Sequence, residues 1–410
     1  MSKRRFKLDS TADLAAGPFR DHVAGFDEVL RSQGYSPESR RLKRLMLAEL
    51  SRWLRRHRVG LGAFDQERVL AFLRERRRRY RTCGGVSKTC RQFLHYLRSL
   101  GVAPPAPPPP AQSPLDSLAG EYATYLRSER GLAEDTIAFY IRLVRRFLAP
   151  AGDDMHEWLR TLDPASIPRF VLGLTRVWGV HTVKDCVSAL RSFLRFLYVR
   201  GLTPRDLATA VPTVPRWKGT TVPKFIPVED VQRILETCDR RVPTGRRDYA
   251  ILLLLARLGL RAAEVRYLTL DDIDWDAGEL DVRGKGGRHD RVPLPSDVGK
   301  GLAAYLRHDR PRCASRRAFI GARAPLRGLG VGAVAAVVWR AIKRSGLSTP
   351  TMGPHLLRHS LATGILRRGG SLAEIAELLR HGHPQTTTLY AKVDFSALRE
   401  VSPPWPEAEP

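Results

Sequence analysis

The chain has 410 residues, room for two to four domains at about 100–200 residues each, and carries 69 Lys and Arg against 42 Asp and Glu, a formal net charge of +27. A compact body this basic repels itself, and the excess is mostly arginine, whose planar fork suits phosphate, so a nucleic acid is the implied partner rather than a membrane. Five scattered cysteines without a CxxC pair argue against a zinc ribbon or a disulfide framework, and no apolar run approaches the roughly 18–20 residues that span a bilayer.

The basic start, Met1-Ser2-Lys3-Arg4-Arg5, lacks a following apolar segment, so no signal peptide is expected and the location expected is the cytoplasm, with the nucleoid. Leu42, Leu45, Met46, Leu50, Trp53 and Leu54 recur at the spacing of one helix face. They belong to an all-α N-terminal segment, residues 1–103, expected to bind DNA. The prolines that crowd residues 104–110 favour an extended spacer, which sets a linker over 104–113. A second all-α segment, 114–211, has its helical face at Ile137, Tyr140, Ile141, Val144, Phe147 and Leu148. The two segments echo one another. Phe93-Leu94 and Leu97 before Gly101 match Phe193-Leu194 and Leu197 before Gly201, and Leu30-Arg31-Ser32 before Gly34 matches Leu126-Arg127-Ser128 before Gly131. Either the first segment repeats the second, or two arginine-rich helical bundles share a composition.

Pro212, Pro215 and Pro223 around Trp217-Lys218-Gly219 mark a basic linker over 212–226. Pro227-Val228-Glu229-Asp230 then opens a helix with acids in its first turn, where the helix dipole favours them. A second helix is expected over 247–258. Alternation through Asp272–Trp275, Glu279–Arg283 and Asp290–Leu294, with Gly-rich turns between, predicts a small antiparallel sheet. From Ser296 to about Val401 the pattern is helical, and 402–410 reads as a disordered tail. The fold class is therefore mostly α with one small antiparallel β-sheet.

Residues 227–401 also hold polar groups whose order carries more than any one of them. Arg261 and Glu264 follow Gly259-Leu260. Lys285 sits at the tip of a hairpin between Gly284 and Gly286, where glycine lets backbone approach a ligand. His355 and Arg358 lie three apart in Pro354-His355-Leu356-Leu357-Arg358-His359 and share a helix face. His381 precedes Tyr390 by nine residues, with His383 as a rival at poorer spacing. A single arginine on a helix is more often solvated, and a single tyrosine more often packs. The ordered set resembles the tyrosine recombinase (phage integrase) family.

The resemblance covers roughly 227–400, extends more weakly over 114–212 as a helical core-binding domain, and says little of 1–103. One departure is Leu379-Arg380-His381, where the family usually has Leu-Gly-His; arginine there is a familiar variant among transposon-type members. The resemblance implies a site-specific recombinase that cuts and rejoins double-stranded DNA through a 3′-phosphotyrosyl link to Tyr390. Arg261 and Arg358 would clamp the phosphate oxygens, with His381 donating a further bond. Lys285 would protonate the leaving 5′ oxygen, and His355 would handle the tyrosine proton. Glu264 would orient Arg261. No metal, nucleotide or other cofactor is expected. Partners implied are DNA, further copies of the chain in a tetramer on paired sites, and accessory DNA-bending proteins or a partner recombinase. The alternatives are a type IB-like topoisomerase using the same residues, or a DNA-binding regulator that kept the fold without the chemistry.

Overall fold

A computed structural model of the chain describes residues 14, 17–79, 85–107, 113–152, 154–214, 223–284, 289–380 and 387–391. Two compact units emerge: residues 105–218, and residues 1–104 together with 219–410.

The first hundred residues form α1 (Val23–Ser32), α2 (Pro37–Arg56), α3 (Gln66–Arg79) and α4 (Val86–Ser99). Helix α2 starts where Ser36 accepts a hydrogen bond from the Ser39 amide at 3.2 Å and Pro37 fills the first turn. Its apolar face buries Leu47, Leu50 and Leu54 against Phe26 of α1 and Phe93, Leu94 and Leu97 of α4. This bundle touches the C-terminal part of its own unit: the Leu326 amide donates to the Gln33 carbonyl at 2.9 Å. Gly34, at φ +81°, leaves room for that contact, since a Cβ there would lie 2.1 Å from Leu326 Cδ1.

Residues 105–218 contain α5 (Pro114–Ser128), α6 (Glu134–Leu148), α7 (Met155–Arg160), α8 (Ser166–Thr175) and α9 (Val180–Val199). Ser113 caps α5 by accepting from the Asp116 amide at 3.1 Å. The core joins Tyr122, Leu126, Val144, Phe147, Phe193 and Leu197.

The C-terminal part begins with α10 (Val228–Glu236) and α11 (Pro243–Arg257). Every residue from Ala250 to Ala256 is buried, so α11 is the central strut of this core. Short α12 (Ala262–Tyr267) leads to the sheet, β1 (Ile273–Asp274), β2 (Glu279–Arg283) and β3 (His289–Pro293), ordered β1-β2-β3 and antiparallel throughout. Leu280 pairs with both Ile273 and Val292, and the three bury one face. Then come α13 (Ser296–His308), α14 (Ala333–Ser345), α15 (Pro354–Arg367), α16 (Leu372–Leu378) and α17 (Thr388–Ala391).

The expectation of unbroken helix after Ser296 fails over 309–332. Pro311, Pro325 and four glycines interrupt the pattern, and the chain instead forms isolated bridges, Thr269 with Arg317 and Ile320 with Gly328. The Arg310 guanidinium holds the segment by donating to the carbonyls of Ser315 and Arg317 at 2.6 and 2.8 Å. The tail 402–410 and the segment after Ala391 lie outside the described residues. Among the described residues no helix is long and apolar enough to cross a membrane.

Candidate active site

The site is built where three chain segments meet. Helix α11 ends just before Gly259, whose φ of +58° turns the chain toward Arg261. A Cβ on Gly259 would lie 2.6 Å from Leu379 Cδ2 and 3.2 Å from Leu361 Cδ2, so both conformation and space call for glycine. Arg261 is the N-cap of α12, and Glu264 occupies the third helical position. One Glu264 oxygen accepts from the Arg261 amide at 2.7 Å, as in a capping box; the other accepts from Arg261 Nη1 at 2.6 Å. Helix capping thus fixes the backbone and the guanidinium of the same arginine.

The Glu264 carboxylate also accepts from Arg380 Nη2 at 3.1 Å. Burial works to raise the Glu264 pKa, but the amide and guanidinium of Arg261 and the charge of Arg380 outweigh it and hold the carboxyl below its usual range. Arg380 follows α16 at φ +52°, a left-handed conformation uncommon for a residue with a side chain. Its side chain is only 7% exposed, and its buried Nε has no hydrogen-bond partner among the described residues.

Arg358 comes from α15 and is 4% exposed. Its Nη1 donates to the Gly259 carbonyl and its Nη2 to the Leu379 carbonyl. One side chain therefore ties α15 to the turn before Arg261 and to the end of α16. Burial, reinforced by the positive charge of Arg261, lowers Arg358 to about 10, which still leaves it charged at neutral pH.

Tyr390, on α17, is 1% exposed and packs with Ala362, Leu366, Ile375 and Leu379. Its hydroxyl lies 2.7 Å from His359 Nδ1. Burial pushes the hydroxyl up to about 12, with the Arg358 charge working the other way. Burial also pulls His359 down to about 4, helped by His355 and Arg358. Both groups are thus neutral at neutral pH, a pair in which the hydroxyl can donate and the ring accept.

The sequence placed His355 at the tyrosine proton, whereas the described hydrogen bond falls to His359, one turn further along α15. The two rings are 6.3 Å apart, and burial followed by the charges of Arg358 and Arg261 lowers the His355 pKa as well. Arg261, Arg358 and Tyr390 are brought into one neighbourhood through Gly259, Leu379 and α15. Lys285 and His381 lie outside the described residues. Sequence reasoning gave no role to His359 or to Arg380. The available signals were the position of His359 four residues after His355, and the arginine standing where the family usually has glycine. Among the described residues no group of three or more His, Cys, Asp or Glu could hold a metal ion.

The phage integrase family matches residues 224–397, and its N-terminal SAM-like domain matches residues 119–201. The chain is 42% identical over 392 residues, 95% of each protein, to a Sinorhizobium fredii protein named as an integrase/recombinase, y4rA. It is 34% identical over 314 residues, 70% of this chain and 96% of the relative, to tyrosine recombinase XerD of Mycobacterium tuberculosis. Among solved structures, the XerH site-specific recombinase bound to a palindromic difH substrate, in a post-cleavage complex, is similar in fold. It has a TM-score of 0.52 and 18% identity, and the match covers 73% of this chain and 99% of that one. These relatives favour neither a topoisomerase nor a regulator without chemistry. By this identity along nearly its whole length, the chain belongs to the phage integrase family of tyrosine recombinases.

Proposed function

We propose that this site-specific recombinase breaks and rejoins DNA with Tyr390 as its nucleophile. The observation that carries the assignment is the 2.7 Å contact between the Tyr390 hydroxyl and His359 Nδ1, on the helix that also carries Arg358. A tyrosine whose pKa is pushed up to about 12 needs a base beside it; the histidine, pulled down to about 4, is an unprotonated ring at neutral pH, and the phosphate charge of bound DNA favours its protonated form as the tyrosine proton arrives.

In the proposed step the tyrosine oxygen bonds to phosphorus while the bond from phosphorus to the 5′ oxygen breaks. The tyrosine proton passes to His359, and Lys285 supplies a proton to the departing 5′ oxygen. Arg261 and Arg358 stabilise the charge on the non-bridging oxygens by charge-assisted hydrogen bonds, with His381 adding another. His355, three residues before Arg358, serves as a further polar contact to the phosphate. Attack by a 5′ hydroxyl of a partner strand reverses the step and releases Tyr390. The phosphotyrosyl ester conserves the bond energy, so no nucleotide is consumed. DNA is the partner, acted on at the nucleoid. Because exchange involves four strands, four protomers are proposed to meet on paired sites, with accessory DNA-bending proteins or a partner recombinase aiding some pairings.

The test is a suicide duplex with a nick beside the cleavage position, which strands the enzyme as a covalent adduct. Tyr390→Phe should abolish the adduct while binding stays within a few fold, because binding rests on many phosphate contacts and the change removes one oxygen. A persistent adduct in that variant would place the nucleophile elsewhere. Joining of the trapped end to a second duplex distinguishes recombination from relaxation.

A further inference from the structure

We propose that residues 17–103 are a second copy of the SAM-like helical module, recast as a basic duplex-DNA-binding unit whose contact ridge is Arg74, Arg77 and Arg78. The family match to that module stops at residues 119–201, so the first hundred residues stand outside it.

The internal geometry of the two segments agrees across four helices and the 3₁₀ turn between the second and third of them. Each runs from a helix (α1, α5) through a left-handed glycine (Gly34 at φ +81°, Gly131 at φ +57°) into a second helix (α2, α6). A single 3₁₀ turn follows at Leu61–Ala63 and at Ala149–Ala151. Two further helices, α3 and α4 in one and α8 and α9 in the other, close each bundle, with α7 and the 3₁₀ turn Leu207–Ala210 as additions in the second. Both last helices end alike. Gly101 sits at φ +71° and Gly201 at φ +69°, and the residue after each donates back to a leucine carbonyl, Val102 to Leu97 at 3.0 Å and Leu202 to Leu197 at 2.9 Å.

The cores match at the level of ring geometry. Phe26 meets Phe93 at 5.0 Å and 72°, as Tyr122 meets Phe193 at 5.0 Å and 65°. Phe26 meets Tyr96 at 5.5 Å and 44°, as Tyr122 meets Phe196 at 5.1 Å and 47°. Phe93 and Tyr96 lie 6.1 Å apart at 30°, Phe193 and Phe196 6.3 Å apart at 24°. Shared composition gives two helical bundles similar numbers of aromatic residues. It does not give the same three contacts, at closely similar distances and tilts, from corresponding helices.

What separates the copies is charge. Residues 17–103 carry 20 Lys and Arg against 8 Asp and Glu, whereas residues 114–211 carry 13 against 11. On α3 the positions split by face. Val69, Phe72 and Leu73 are buried, and Arg76 turns to Glu49 at 3.0 Å. Arg74, Arg77 and Arg78 are exposed, lie three and four residues apart, and have no carboxylate partner among the described residues. Arg74 and Arg78 line a shallow depression with Ala71 and Glu75. The corresponding helix α8 presents Arg169, already paired with Asp163 at 3.0 Å. Three unpaired guanidiniums on one helix face repel each other, and the phosphates of a duplex relieve that repulsion.

The choice of DNA as ligand rests on the recombinase reading; the duplication does not. The experiment uses the full-length protein with Arg74, Arg77 and Arg78 all changed to Gln, which keeps helix propensity and removes charge from exposed positions. Binding to a duplex holding the protein's own recombination site and its flanks is measured from 50 to 200 mM salt. Losing three phosphate contacts should flatten the slope of log affinity against log salt by about 2.7, so that over this range the parent loses about 40-fold more affinity than the variant. The footprint should shorten on one side. A normal thermal melt shows that the variant is folded. Trapping on the nicked duplex at saturating DNA should be unchanged, and its loss in the parent would fault the recombinase reading rather than this one. A folded variant with the parent's slope and footprint overturns the proposal. So does single-stranded RNA of equal length that competes as well as duplex DNA.

Discussion

Glu264→Gln is the substitution that best isolates how the two arginines proposed to clamp phosphate are held. The carboxylate is buried and accepts three hydrogen bonds, from the Arg261 amide at 2.7 Å, Arg261 Nη1 at 2.6 Å and Arg380 Nη2 at 3.1 Å. A glutamine fits the space. Its carbonyl can retain the Arg261 amide and Arg380, but its NH₂ then faces Arg261 Nη1, donor against donor. The anion is lost altogether, leaving Arg380, 7% exposed, and the neighbouring Arg358 without a counter-charge. Removing one partner of a buried pair costs about 3–5 kcal/mol, a large share of the roughly 5–15 kcal/mol that holds a domain folded. Because the chain has two units, the cost is best read locally, by hydrogen exchange of the amides in α12 and α15. The Glu264 pKa is held below its ordinary value, so its stabilisation is present above the unfolded pKa and is lost as pH falls through the folded one. The gap between parent and variant should accordingly close in acid. Duplex DNA should protect the variant more than the parent, since a phosphate supplies the missing anion. A local opening energy within about 0.5 kcal/mol of the parent at neutral pH, the usual range for an unimportant surface change, would refute this account.

Two further substitutions probe the site itself. His359→Ala should slow adduct formation by about 10²–10⁴, the usual worth of a positioned base. With His359 pulled down to about 4, its ring stays unprotonated as pH falls from 8 to 5, so the parent should show no loss near pH 6.5 that the variant lacks; such a step would mean the histidine titrates normally, without the burial and the neighbouring His355 and Arg358 that lower it. Arg358→Lys should lower the cleavage rate by about 10²–10³. A lysine keeps the charge but cannot reach the Gly259 and Leu379 carbonyls with two nitrogens at once, so full activity on the nicked duplex would show that a point charge suffices.

How far the sequence could lead depends on the kind of information each feature needs. The β1-β2-β3 sheet was legible because Leu280 and Val282 alternate with polar residues and glycines mark the turns, a purely local pattern. The family was legible because the set from Arg261 to Tyr390 stands in the order of residue types that it resembles, and phosphate chemistry restricts both type and order. The break over 309–332 was not, because short apolar stretches such as Ala318–Ile320 pack equally well in helix or in irregular chain held by Arg310, and only tertiary contact decides. The tyrosine's partner was not legible either. His355 and His359 are four apart on one helix face, so helical periodicity treats them alike; what selects His359 is where α17 sets Tyr390, a distance across 31 residues that no local pattern encodes.

Arg380 makes the same point in reverse. Read along the chain it is a departure in a motif, at a position where glycine would ease the φ of +52°. Its reason lies 116 residues away, in a Glu264 oxygen already shared with the amide of Arg261. Arg261 and Arg358 would repel each other in the absence of bound phosphate, and Glu264 is the one buried anion bonded to this cluster among the described residues. Adding Arg380 to that carboxylate raises the positive charge further, yet it also bonds the end of α16, through which Tyr390 follows, to the cap of α12, where Arg261 sits. The left-handed backbone is strained in exchange for a link between the segment that leads to Tyr390 and the cap that holds Arg261. Such a link is a property of pairs of residues brought together by folding, and it becomes visible only when both ends are placed.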